Sequence, residues 1–108
     1  MRVEVVNMKI EGTFLGIERG CLTFSLTLNC EGLGCGFGGW SLGRAGSDLI
    51  REVLNVVGAE AWEELPGKYV RVRFEDQRST AIGHITSNKW LNIAEWLEQW
   101  KAAHGGTE

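Results

Sequence analysis

GLGCGFGGWSLGRAG, running from Gly32 to Gly46, holds seven of the chain's fifteen glycines. Whether this stretch is a loop or regular structure decides the fold. Each glycine loses more backbone entropy on ordering than any other residue, so a run of them is costly unless side chains are unwanted or positive φ is required. We read the run as a loop that follows a strand and leads into a helix, and the functional question starts there.

Upstream of it, Leu22, Phe24, Leu26 and Leu28 alternate with Thr23, Ser25, Thr27 and Asn29, the period of two of a half-buried strand. Val3 to Ile17 reads as an earlier strand that bends at Gly12, with Met8, Ile10 and Phe14 on one face. Glu18-Arg19-Gly20 turns it back into a β-hairpin. Downstream, Ser47-Asp48 resembles a helix N-cap, and Leu49, Ile50, Val53, Leu54 and Val57 recur at helical spacing up to Gly58, a natural stop. Lys68 to Glu75 and Thr80 to Thr86 form a second hairpin around Asp76-Gln77-Arg78-Ser79. Asn92 with Glu95 opens a last helix whose Ile93, Trp96, Leu97 and Trp100 form one stripe. The expected fold is α+β: a single domain over residues 1–103 in ββαββα order, an antiparallel sheet with helices packed on one face, and a frayed tail at 104–108.

Composition narrows the function. A chain of 108 residues, 44% hydrophobic and 23% charged, suits one domain with one core. Lys and Arg number 11 against 14 Asp and Glu, and the net charge of −3 removes the basic balance that general nucleic-acid binding needs. No apolar run is long enough for a membrane span, and the N-terminus lacks a signal-peptide pattern. Cys21, Cys30 and Cys35 are an odd set without the density of a disulfide scaffold. The expectation is a cytoplasmic protein in a reducing compartment.

Gly34 to Gly39 spells GxGxxG, but that fingerprint works where a strand passes directly into a helix within a βαβ unit. Here a hairpin precedes it and the helix begins about eight residues later, so a dinucleotide fold is rejected. A broader reading survives. Gly36, Phe37, Gly38, Gly39 and Trp40 form the loop, Arg44 and Ser47 stand at the helix start, and backbone N–H groups with the helix dipole suit a phosphate. Phe37 and Trp40 offer a flat surface to a base. The alternative turns both aromatics inward as core anchors and makes the glycines purely structural. Arg71 and Arg73 share a strand face with Tyr69, and with His84 and Trp90 they are possible secondary contacts; the competing reading is a solvated face paired with Glu75. No acid, base and stabiliser set converges, and the cysteine and histidine spacing does not suit zinc, so neither an enzyme nor a metal or cofactor is expected.

LTFSLTL (Leu22 to Leu28), GCGFGGWSL (Gly34 to Leu42), LPGKYVRVR (Leu65 to Arg73), AIGHI (Ala81 to Ile85) and Lys89-Trp90 together resemble a family of small proteins encoded by bacteriophages and prophages. The likeness spans about Thr13 to Trp90, and Trp40 stands where many relatives have Tyr. It implies an accessory role, such as countering host defence, and no particular chemistry. Two readings follow. One is a non-enzymatic binder, a homo-oligomer, that holds a small phosphorylated, nucleotide-like ligand through the Gly32 to Ser47 loop. The other is an inhibitor resembling anti-CRISPR proteins, which covers a host defence protein through surface contact and takes no small ligand.

Overall fold

The middle of the glycine run, Leu33 to Ser41, is a β-strand. In a computed structural model that describes residues 2–104, apart from the side chains of residues 39–41, the chain forms β1 (Val3–Glu18), β2 (Cys21–Cys30), β3 (Leu33–Ser41), α1 (Gly46–Val57), a 3₁₀ turn (Trp62–Glu64), β4 (Tyr69–Glu75), β5 (Arg78–His84), β6 (Trp90–Leu91) and α2 (Ile93–Ala103). The order is therefore βββαβββα and not ββαββα. The six strands form one antiparallel sheet in the order β3-β2-β1-β4-β5-β6. The physical reason lies in the glycines' own spacing. Gly34, Gly36 and Gly38 alternate with Leu33, Cys35 and Phe37, and the ladder from Cys30↔Leu33 to Ser25↔Gly38 places them opposite Asn29, Thr27 and Ser25. One face of β3 thus carries Phe37, which is buried, and the other carries no side chain over these positions.

Three of the hairpins in the sheet are tight, and each of these turns on two residues with positive φ: Arg19-Gly20, Glu31-Gly32 and Asp76-Gln77. That pairing of signs gives the primed turn whose twist matches antiparallel strands. β1 is long enough to serve two partners. Its first half, Val3 to Lys9, pairs with β4, and Lys9 to Glu18 pairs with β2. Between Ile10 and Gly12 the register slips by a β-bulge. The slip exchanges faces, so Phe14 stands opposite Ser25 and away from the core that Met8 and Ile10 enter. The expectation that all three share a face fails for this reason.

Phe24, Leu26 and Leu28 of β2, Val70 and Val72 of β4, and Ile82 of β5 point into one buried cluster with Leu49, Val53, Val56 and Val57 of α1 and Ile93 of α2. α1 ends where the sequence places its stop: Gly58 takes φ 87 and its N–H bonds to the Leu54 carbonyl at 2.9 Å. Its start differs from expectation, since Ala45 occupies the N-cap and no side chain caps it. Asn92 does cap α2, accepting from the Glu95 N–H at 3.2 Å. Trp100 ties the two helices together by donating from Nε1 to Asp48 at 2.9 Å, and the His104 ring stacks on Trp100 with centroids 4.1 Å apart. The rest of the expected tail, 105–108, lies outside the described residues. No helix among the described residues is long and apolar enough to cross a membrane.

Candidate functional site

β3 sits at the edge of the sheet in sequence of pairing, yet its free edge is not left bare. The sheet curls until β5 reaches it, and Ser79 Oγ donates to the Gly36 carbonyl at 2.8 Å. Where the two strands meet the beginning of α2, a cleft of about 410 Å³ opens. Gly36 and Gly38 form one wall, Arg78 and Thr80 the second, and Asn92, Ile93 and Ala94 the third. The first N–H groups of a helix have no intrahelical acceptor. Asn92 takes up that of Glu95, while those of Ile93 and Ala94 find no acceptor among the described residues. The start of α2 therefore presents free donors and the positive end of its dipole in a cleft that Arg78 also lines, an arrangement that favours an anion.

The expected site residues divide. Gly36, Phe37 and Gly38 line this cleft, but Phe37 is only 5% exposed and belongs to the core, so it offers no stacking surface. Gly39 and Trp40 fall in β3 beside a bulge between Phe24 and Ser25, and their side chains lie outside those described. Arg44 and Ser47 are carried away, because the remainder of β3 runs between Gly36 and them. The Arg44 guanidinium lies 5.6 Å from the centroid of the Trp100 ring, and Ser47 lines a separate groove with Leu15, Leu22 and Ile50.

The four secondary residues have structural occupations. Arg71 Nε donates to the His84 carbonyl at 2.8 Å, its Nη2 donates to the Ser87 carbonyl, and its guanidinium lies 4.7 Å from the Trp90 ring centroid. Trp90 in turn covers Gly83, where a Cβ would come within 2.7 Å of the indole. His84 pairs with buried Val70 instead of facing the arginines, and its Nδ1 accepts from the N–H groups of Thr86 and Ser87 at 3.2 and 3.1 Å. Those bonds fix Nδ1 as the unprotonated ring nitrogen. Arg73 pairs with Glu75 at 3.4 Å on the surface. The contacts of Arg71, His84 and Trp90 hold the connection from β5 to β6.

Arg78, Thr80 and the start of α2 were missed because only the curl of the sheet brings them to β3. Arg78 reads in sequence as part of a turn. One local signal was present: Glu31-Gly32 followed by strict alternation of glycine with Leu33, Cys35 and Phe37 spells a hairpin turn and a third strand. Cys35 lies on the inner face, 3.8 Å from the Met8 sulfur, and burial pushes its thiol above the ordinary value. Among the described residues no three His, Cys, Asp or Glu side chains gather as metal ligands. No family model, curated protein or solved structure matches this chain.

Proposed function

We propose that this chain is a non-enzymatic binding protein that holds a small phosphorylated, nucleotide-like ligand in the cleft between β3, β5 and the start of α2. The observation that carries the reading is that one cleft is lined by Arg78, by Ile93 and Ala94 with their free amides, and by a strand wall without a side chain at Gly36. The resemblance to phage and prophage proteins supplies the setting: an accessory protein of the bacterial cytosol that sequesters a nucleotide signal of host defence. Calorimetric titration with cyclic and ADP-ribose-type nucleotides tests it. At least one should bind, Arg78→Ala should weaken that binding at least tenfold, and Arg44→Ala should leave it unchanged. Folded protein that gives no heat with any member of the panel, or an Arg78→Ala variant that binds like wild type, overturns the reading.

A second reading has its own support. Val3, Val5 and Tyr69 are exposed on the sheet face opposite α1, where Asn7, Lys9, Arg71 and Arg73 stand among them, a mixed apolar and basic surface suited to covering a host protein. A stoichiometric host protein co-purifying with the chain, lost on Val5→Glu, favours this inhibitor reading over the ligand-binding one.

A further inference from the structure

The second half of β1 has a free edge. In the hairpin with β2, closed by the two-residue turn Arg19-Gly20, Glu18, Gly16, Phe14 and Gly12 direct their backbone polar groups toward β2. The N–H and C=O groups of Thr13, Leu15 and Ile17 therefore point the other way. β4 does not reach them, since its pairing with β1 stops at Lys9↔Tyr69 and the last bonds on that side join Ile10 to Gly67 and Lys68. Among the described residues no backbone group satisfies these three. Two of these positions carry exposed apolar side chains, Leu15 at 45% and Ile17 at 68%. An exposed apolar edge of this kind is a template for another strand.

We propose that a second copy of this chain occupies the edge, with the two β1 strands antiparallel about a twofold axis at Leu15. Three features select the second copy. The free edge runs from Glu11 to Arg19, bounded by the bonds at Ile10 and by the hairpin turn, and its midpoint is Leu15, so one self-pairing register uses all of it. In that register Leu15 faces Leu15 and Thr13 faces Ile17 of the second copy, and every outward N–H and C=O of these residues gains a partner. The side chains complement each other as well. Each Phe14 ring lies over Gly16 of its own strand, so it leaves the neighbouring strand unobstructed, and Glu11 comes opposite Arg19, so the pairing carries two symmetric ion pairs. A twofold axis on the strand also leaves the cleft between β3, β5 and α2 open in both copies.

Sedimentation equilibrium measures the mass directly. Wild type should sediment at twice the 12.0 kDa of one chain. Leu15→Glu sets two carboxylates together on the axis and should give a folded monomer, whereas Leu33→Glu, at a more exposed leucine in the β2–β3 hairpin, should remain dimeric. Hydrogen exchange gives a second reading that does not depend on any variant folding. The amides of Thr13, Leu15 and Ile17 should be protected at concentrations where the dimer forms and should exchange freely on dilution. In Leu15→Cys, oxidation should produce a disulfide between the two copies at position 15, because directly bonded antiparallel residues lie about 5.5 Å apart at Cα, within disulfide reach. A wild-type monomer up to the solubility limit, a dimer that survives Leu15→Glu, or fast exchange at these three amides in the dimer overturns the proposal.

Discussion

Gly38→Ala is the substitution on which the reading of β3 depends most. Gly38 takes φ 109, a conformation that places an L-residue's Cβ against its own backbone. A Cβ there would lie 2.9 Å from the Phe24 carbonyl oxygen and 3.0 Å from the Ser25 Cα, both backbone atoms of the paired strand. The first effect costs about 1–2 kcal/mol and the second, which forces the β2–β3 ladder apart, about 1–3 kcal/mol. Their sum, about 2–5 kcal/mol, is a large part of the total stability of about 5–15 kcal/mol usual for a domain of this kind. At about 4–8 °C per kcal/mol, Tm should fall by at least about 8 °C.

Gly36→Ala is the matched control. Its backbone is ordinary, and the nearest atom to an added Cβ is the Leu26 carbonyl oxygen at 3.9 Å. That variant should be unchanged or gain about 0.4–1 kcal/mol from a less flexible unfolded chain. Differential scanning calorimetry of the two proteins side by side decides the matter. If they melt together, the bulge at Gly38 is not what fixes this edge of the sheet, and the account of the strand is wrong.

Two other outcomes are expected. Asn92→Ala leaves the Glu95 N–H at the start of α2 without its acceptor and should cost about 1 kcal/mol in a urea titration, with most of the loss restored by Asn92→Ser. Cys21 is exposed while burial raises the Cys35 thiol, so iodoacetamide at neutral pH should modify Cys21 well before Cys35, as read by mass spectrometry of the folded protein. The sign for stability follows: the folded chain keeps the Cys35 proton longer than the unfolded chain, so this contribution is complete below the unfolded thiol's pKa and is lost as alkaline pH rises through the folded value.

Much of the fold was legible where a periodic pattern met a single burial environment. Phe24, Leu26 and Leu28 enter the core as the alternation predicts, and Leu49, Val53 and Val57 line the buried side of α1. Failure came where backbone geometry overrode composition. Glycine density suggests a loop, but the glycines at 34, 36 and 38 keep a strand's period of two, and that order carries more information than their number. The bulge near Gly12 changes which face Phe14 occupies, and a bulge leaves no trace in hydrophobic pattern until the register is known. The cleft was the least legible part. The sequence points to an anion site at Arg44 and Ser47, whereas the residues that meet Gly36 come from β5 and α2, more than forty positions away, as the Ser79 bond to the Gly36 carbonyl records.

The alternating glycines separate structure from function more sharply than their density did. Gly38 is required by the fold, through its positive φ and its approach to the Phe24 carbonyl. Gly34 and Gly36 are not: both have ordinary φ, and a Cβ at either would meet only a carbonyl oxygen, at 3.6 and 3.9 Å. A glycine inside a strand weakens it by roughly 0.5–1 kcal/mol relative to alanine, so the bare wall at Gly36 costs stability that packing does not return. On the proposed function, the bare backbone at Gly36 serves close approach of the ligand, in the cleft that Arg78 and the start of α2 also line. Gly36→Ala therefore divides the two roles in one protein. It should fold at least as well as wild type and bind the phosphorylated ligand less tightly, which no purely structural account of the glycine predicts.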